Sequence, residues 1–280
     1  MQFIEKRKWF YIFSSLLIIP GIISIFVQGF NLGIDFKGGS MLLYKMDASI
    51  SAPAVTQTIS DLNLVKEVSV QQSGSEFYIR TNELTQEQTR QITDELKTKY
   101  SNVELQSAES VGATIGGELV KNAFLAVFIA LVLMLIYITF RFEWSFGLAA
   151  VLALFHDVVI VCGLFSLFQW EVNSAFIAAI LTIIGYSIND TIVVFDRVRE
   201  NLRMKKKDAL AVLLDKSIMQ TLNRSVNTVL TVLMPLITLL IFGGGSIKVF
   251  VMALLVGFLF GMYSSICVAS PMYYEIKQRG

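Results

Sequence analysis

The chain has little of what a soluble enzyme or a nucleic-acid-binding domain uses. Of its 280 residues only 16% are charged and 54% are hydrophobic, and it has one histidine, two cysteines and a net charge of +1. Such a composition excludes an ordinary soluble domain of this length and offers no basic surface for nucleic acid. Cys162 and Cys267 lie inside apolar runs, so neither a disulfide framework nor a metal site is predicted. We therefore expect lipid to be its main solvent.

The sequence also has no motif typical of an enzyme active site. The glycine-rich turn at residues 243–246 lacks the lysine and the length of a phosphate-binding loop. No nucleophile, base and orienting group converge in the pattern. We expect a protein that is not an enzyme and that binds no nucleotide, cofactor or metal.

Long apolar runs dominate what is present. A bilayer core of about 30 Å needs about 20 apolar helical residues. The first run, from Trp9 to Val27, follows Lys6, Arg7 and Lys8 and could belong to a signal peptide, but it exceeds the usual apolar region of about 7–15 residues. We therefore predict an uncleaved first span. The predicted membrane spans are 9–27, 122–140, 146–168, 174–195, 225–242 and 247–274.

The distribution of lysine and arginine predicts the orientation. These residues cluster before the first span, in the 196–224 connection and in the tail, whereas the loop at 169–173 has none. Cytoplasmic loops carry the excess of such residues. Both termini are therefore expected in the cytoplasm, and residues 29–115 outside it. An apolar stripe at Leu210, Leu213, Leu214 and Ile218 predicts a separate interfacial helix within the connection.

Residues 29–115 have the pattern of an inserted water-soluble domain. Strand-like runs alternate with segments of helical spacing in the order β-α-β-β-α-β, which is typical of a ferredoxin-like domain. The predicted fold class is a six-helix transmembrane bundle with an inserted α+β ferredoxin-like extracytoplasmic domain. Its parts are the cytoplasmic N-terminus and first span (1–28), the inserted domain (29–115) and spans two to six (116–280).

Ionisable residues inside the spans are the candidate functional groups, because each costs about 2.5–3.5 kcal/mol to insert. Asp190 lies in span four and Arg224 begins span five, and the antiparallel course of these spans places the two at similar depth. Such a pair can relay a proton, since separating the cation from the carboxylate favours protonation, or can simply lock two helices together. For His156 and Asp157 in span three, hydrogen bonding between helices is the simpler interpretation and a relay the alternative.

Several motifs together resemble the SecF family of bacterial protein-export membrane proteins. They cover nearly the whole chain in order and are Gly33–Gly39, Ser110–Gly112 with Gly116–Leu119, His156-Asp157, Gly185–Thr191 continuing to Phe195–Asn201, and Leu222–Thr228.

The resemblance implies a subunit of the bacterial cytoplasmic membrane, within the resistance-nodulation-division superfamily, that pairs with SecD into a twelve-helix assembly. The assembly would work beside the SecYEG channel, with YajC and YidC as further candidate partners, and would use the proton-motive force to help move preproteins. Asp190 and Arg224 match the family's proton-pathway residues. Gly38 and Gly39 are expected to form a tight turn, with a binding role as the alternative, and Asp196, Arg197 and Glu200 belong to a motif that a solvated helix end also explains.

Two other functions stay open on the sequence alone. A non-transporting scaffold that holds SecD and the translocon together needs no titrating carboxylate. A half-transporter for a small molecule or lipid fits the same superfamily, although the small inserted domain argues against it. The residues are compatible both with a separate chain and with half of a SecD–SecF fusion.

Overall fold

The computed structural model describes residues 2–204 and 208–279, which form two compact units. The helical unit lies within Met1–Asn31 and Leu125–Gly280, and the α/β unit comprises Leu32–Phe124. The helices are α1 (Arg7–Val27), α2 (Ile34–Lys37), α3 (Ala52–Asp61), α4 (Gln86–Lys99), α5 (Ala113–Arg141), α6 (Trp144–Leu167), α7 (Ser174–Met204), α8 (Leu210–Phe242), α9 (Gly245–Ser264) and α10 (Ser270–Arg279). The strands are β1 (Asn31–Leu32), β2 (Gly39–Lys45), β3 (Val68–Ser73), β4 (Glu76–Thr81), β5 (Glu104–Val111) and β6 (Glu171–Val172).

The prediction of six membrane helices is confirmed for the part of the chain that the structure describes. The helices long and apolar enough to cross a bilayer are Arg7–Val27, Thr114–Arg141, Trp144–Leu167, Ser174–Met204, Leu210–Phe242 and Ile247–Gln278. The last of these contains a π-helical turn, Ser265–Ala269, between α9 and α10. A π-turn is often found at functional sites, and the sequence did not indicate it.

Several helices run past the predicted apolar windows. α7 continues to Met204 and α8 begins at Leu210, so the connection predicted at 196–224 is largely helical where it is described. The stripe containing Leu213 and Ile218 is therefore not a separate helix but the start of α8. Both side chains are buried, which favours continuing the helix over ending it. The basic residues predicted at 205–207 lie outside the described residues.

The α/β unit builds one antiparallel sheet with the strand order β3-β4-β2-β5. Along the chain its larger elements follow the order β-α-β-β-α-β, with α3 and α4 as the two helices. Side chains alternate along β2, so that Leu42 and Tyr44 face a core shared with Ile59 of α3 and Ile92 of α4. The Tyr44 hydroxyl bonds to Thr93 Oγ1 at 2.7 Å, and burial raises the pKa of this phenol.

Two consecutive glycines turn the backbone into β2. Gly38 has φ +77° and Gly39 has φ +127°, a region that favours glycine because it has no Cβ. A Cβ on Gly39 would lie 2.5 Å from the carbonyl oxygen of Thr81 on the neighbouring strand β4. The positive φ angles account for glycine at both positions, and the close approach of Thr81 is a second reason for glycine at position 39.

Replacing Gly39 tests this explanation. Gly39→Ala is expected to lower the free energy of unfolding of the α/β unit by about 1–3 kcal/mol, because the new Cβ strains the backbone and approaches Thr81. Pulse proteolysis in increasing urea, on the full chain in detergent, measures this change. Gly117→Ala is the matched control, since no atom lies within 4 Å of its added Cβ. Equal unfolding midpoints for the two variants would contradict the explanation.

Candidate functional site

Two buried ionisable residues stand next to each other on α6. Asp157 is fully buried and His156 is 6% exposed. α6 is apolar around its whole circumference and packs against α1, α7 and α9. Polar groups at this depth need partners from neighbouring helices, because lipid supplies none.

The Asp157 carboxylate joins three helices. Its Oδ2 accepts hydrogen bonds of 2.7 Å from Ser187 Oγ on α7 and from Ser264 Oγ on α9, while Oδ1 lies 3.0 Å from His156 Nδ1. Gly261 lets α9 approach α7 at this level, since its added Cβ would lie 3.1 Å from Ser187 Cβ. The small residue thus brings two hydroxyl donors to one carboxylate oxygen.

The imidazole of His156 continues the network toward α1. Its Nε2 lies 2.9 Å from Ser14 Oγ, which lies 3.1 Å from the hydroxyl of Tyr263. That hydroxyl donates to the carbonyl oxygen of Phe10 at 2.9 Å. Gly21 and Gly163 hold α1 against α6 in backbone contact, because a Cβ on either would lie 2.8 Å from the other's Cα.

Asp190 is buried on α7 with only half of its carboxylate satisfied. Ser225 Oγ of α8 donates to Oδ1 at 2.6 Å. The other oxygen, Oδ2, is buried and receives no well-formed hydrogen bond from a described residue, although the hydroxyl of Ser265 lies near the carboxylate. An unpaired buried carboxylate oxygen is costly, so this group gains stability when it binds a proton.

The predicted ion pair between Asp190 and Arg224 does not form in this structure. Arg224 is exposed, and its side chain makes no hydrogen bond or ion pair with a described residue, although its charge acts on Asp190. Helical geometry explains the difference. Adjacent residues on a helix point about 100° apart, so α8 turns Ser225 toward α7 and Arg224 away from it. The two candidates lie near each other but are not paired.

The surroundings of the two carboxylates are connected. Thr191, next to Asp190, has its Oγ1 2.8 Å from Ser265 Oγ and donates to the carbonyl oxygen of Ser187 at 3.2 Å. Ser265 begins the π-helical turn and directly follows Ser264, a donor to Asp157. A change in this turn therefore reaches both sites.

The motif after span four lies on the exposed end of α7. Asp196 and Arg141 approach to 3.7 Å, and both side chains are about half exposed. Arg197 contacts Glu200 and donates to Gln220 at 2.7 Å, while Asn201 donates to Ser217 at 2.8 Å. These contacts connect α7 to α5 and α8; the Asn201–Ser217 hydrogen bond is buried, whereas the charged groups are partly exposed.

Sequence reasoning found the ionisable groups but missed their partners. The hydroxyl residues Ser14, Ser187, Ser225, Ser264 and Tyr263 carry most of the hydrogen bonds. These partners could have been sought as hydroxyl residues in an apolar helix with a small residue one turn away, as with Gly261 and Ser264 or Ser265. No group of three or more His, Cys, Asp or Glu that could hold a metal occurs in the described part of the chain.

Family models match most of the chain. The model described as "Protein export membrane protein SecD/SecF, C-terminal" matches residues 91–279, and "SecD/SecF GG Motif" matches residues 23–50, which include Gly38 and Gly39. The chain belongs to the SecD/SecF family of protein-export membrane proteins.

Similar proteins of the SecD/SecF family include chains of similar length and much longer chains. "Protein translocase subunit SecF" of Sebaldella termitidis is 44% identical over 99% of this chain and 92% of its own length. "Protein translocase subunit SecDF" of Bacillus subtilis is 40% identical over 99% of this chain but only 38% of its own. The crystal structure of SecDF from Thermus thermophilus, titled a translocon-associated membrane protein, is 37% identical with a TM-score of 0.93, and this chain covers 39% of it.

Removing the two hydroxyl donors of Asp157 tests whether this junction holds the helices together. Ser187→Ala and Ser264→Ala should each lower the free energy of unfolding in bilayers by about 0.6–1.7 kcal/mol. The double variant should lose more than the sum, because Oδ2 is then left without a donor. Thr182→Ala is the control, since this exposed hydroxyl bonds only to the carbonyl of Ala178 on its own helix. Steric-trapping measurements report these values, and additive losses would contradict the shared junction.

Proposed function

We propose that this chain is the SecF-type subunit of a SecD–SecF complex that assists preprotein movement through the SecYEG channel with the energy of the proton gradient. The relatives named as protein translocase subunits support the transport role. The chain would need no organic cofactor or metal and would perform no enzymatic step. The half-satisfied carboxylate of Asp190 is the observation that carries the proton-driven part of the proposal.

Asp190 has the surroundings that a proton-coupled switch needs. Protonating Oδ2 removes the cost of an unpaired buried oxygen, and approach of the Arg224 cation would instead favour the ionised form. Two packing arrangements of α7 and α8 would thus prefer different protonation states. One proton moving inward across 100 mV releases about 2.3 kcal/mol, which biases a two-state bundle appreciably. We infer that this bias drives the cycle.

SecD is the partner that the exposed polar residues of α7 and α8 require. Asn189, Arg224 and Asn227 are exposed, and their side chains make no hydrogen bond with a described residue, which is unfavourable against lipid. On α7, Thr182 and Gly185 lie on the same side as Asn189, and no atom lies within 4 Å of a Cβ added to Gly185. A second bundle can therefore approach closely. The SecDF relatives, of which this chain spans 38–39%, support SecD as that bundle.

The orientation proposed for the cytoplasmic membrane rests on contacts at one end of the helical unit. Arg7 pairs with Glu275 at 3.0 Å, and the backbone N–H of Ile4 donates to Asp215 of α8 at 2.9 Å. Both termini and the basic 196–224 connection therefore lie on the same side. We propose that this side is cytoplasmic and that the α/β unit is a ferredoxin-like extracytoplasmic domain, in agreement with its strand order.

The decisive test of the proposal is Asp190→Asn. This change keeps the size and one hydrogen bond of the side chain but abolishes proton exchange. We expect the release of a secreted reporter from cells to fall at least tenfold and to lose its dependence on the proton gradient. Membrane abundance and SecD co-purification should match the unmodified chain.

Asp196→Asn is the matched control for Asp190→Asn. It removes a carboxylate from the same helix, but one that is half exposed and lies beyond the buried region. We expect it to leave reporter release unchanged. If Asp190→Asn also leaves release unchanged, Asp190 is a structural pairing group and the chain is a scaffold. A loss of drug or lipid efflux with normal preprotein release would instead indicate a half-transporter.

Gly185→Leu tests the proposed SecD surface. The added side chain meets no atom of this chain near its Cβ, so the variant should fold normally, but it should block a closely packed partner. We expect SecD co-purification to fall severalfold. Leu16→Phe, on the exposed apolar face of α1, is the control and should not change it. Unchanged co-purification of Gly185→Leu would place the SecD contact elsewhere.

A further inference from the structure

The hydrogen bonds around His156 have a direction that can be traced from one end. The Tyr263 hydroxyl donates its only proton to the carbonyl oxygen of Phe10, which can only accept. Toward Ser14 it must therefore accept, so Ser14 Oγ is the donor in that contact. With its own proton used, Ser14 can only accept from His156. Nε2 of His156 therefore carries a proton.

The other ring nitrogen, Nδ1, faces the carboxylate of Asp157, and this contact limits where a proton can lie. Nδ1 lies 3.0 Å from Asp157 Oδ1. If the imidazole were neutral and the carboxylate ionised, two lone pairs would face each other in a buried site. A proton on either atom turns this repulsion into a hydrogen bond. The other oxygen, Oδ2, already faces two serine hydroxyls and offers no better place for that proton.

We propose that His156 and Asp157 form a second proton-binding site, which holds one proton between Nδ1 and Oδ1 as imidazolium with carboxylate or as imidazole with carboxylic acid. This inference deepens the proposed function, since it adds a proton site to the same helical unit. A contact that only joins three helices needs no titrating proton. The proposed site therefore has a property that a purely structural contact lacks.

The groups that face this site come from each helix packed around it. Tyr11 of α1 lines the same groove as His156, Tyr263 of α9 lies with its ring centre 6.0 Å from the imidazole, and Cys267 follows one turn later. α7 supplies Asp190, one turn from Ser187. The described residues place no lysine or arginine in hydrogen-bond or ion-pair contact with His156 or Asp157.

A mainly apolar groove lies beside the imidazole, and hydroxyl groups connect Asp157 to the surroundings of Asp190. The groove, of about 350 Å³, lies between α1 and α6 and is lined by Ser14, Phe155 and His156 among others. On the inner side, Ser187 and Ser264 bond Asp157, and Thr191 and Ser265 next to them bond each other. Rearrangement of the π-helical turn on protonation at one site would therefore be felt at the other.

The single histidine makes the inference measurable without a transport assay. The full chain, purified through a tag free of histidine and labelled with ¹⁵N-histidine, gives one pair of ring nitrogen resonances in bilayers. We expect Nε2 to be protonated near neutral pH. We also expect either a protonated Nδ1 or an infrared carboxylic-acid band that disappears in Asp157→Asn.

Two variants control this measurement. Ser14→Ala removes the acceptor of the Nε2 proton and should shift the Nε2 resonance, because that N–H then loses its hydrogen bond. Ser15→Ala, which removes a neighbouring exposed hydroxyl with no hydrogen bond to a described residue, should leave the spectrum unchanged. A lone pair on Nε2 in the unmodified chain would overturn the inference. So would a lone pair on Nδ1 with no infrared band lost in Asp157→Asn.

The outcome is independent of the test of the proposed function. If Asp190→Asn leaves export unchanged while Nδ1 or Asp157 holds the proton, the proton-driven role fails and the second site stands. If export collapses in Asp190→Asn but His156 and Asp157 share no proton, the proposed function stands and only this inference fails.

Discussion

The absence of water around the membrane helices is the constraint on which the rest of the structure depends. A carboxylate in this setting must take its hydrogen bonds from neighbouring helices. Asp157 does so completely, with Ser187 and Ser264 on one oxygen and His156 on the other. This need determines which faces of α6, α7 and α9 meet, and small residues such as Gly261 make the required approach possible.

Asp157 and Asp190 differ in how completely their carboxylate oxygens are hydrogen-bonded. We propose different roles for them on this ground. Asp157 lies in a network in which each carboxylate oxygen has a hydrogen-bond partner. Asp190 has one donor, Ser225, and one buried oxygen without a well-formed hydrogen bond from a described residue. A complete network favours a single packing arrangement, whereas an incomplete one gives the bundle a reason to change with protonation. We therefore propose the α7–α8 contact, and not α6, as the place of proton-driven movement.

The sequence was sufficient for the parts of the fold that depend on composition and period. Apolar length predicted the six membrane helices, and the unusual cost of charge inside a span singled out His156, Asp157 and Asp190. It could not predict which way Arg224 points, because a one-residue step rotates a side chain by about 100° and places Ser225 at the contact instead. Serines and the π-helical turn were missed, since a hydroxyl in an apolar helix has no distinctive pattern until its neighbours are known.

The exposed polar residues of α7 and α8 form the surface that the proposed partner would cover. Arg224 and Asn189 lie near Asp190 in the helical unit, yet neither side chain is hydrogen-bonded to a described residue. The same partner that covers them would also change the dielectric around Asp190 and could move the cation toward or away from it. Assembly and proton binding would then be parts of one equilibrium. A partner that prefers one packing of α7 and α8 must shift the protonation of Asp190, and protonation must shift the partner in return.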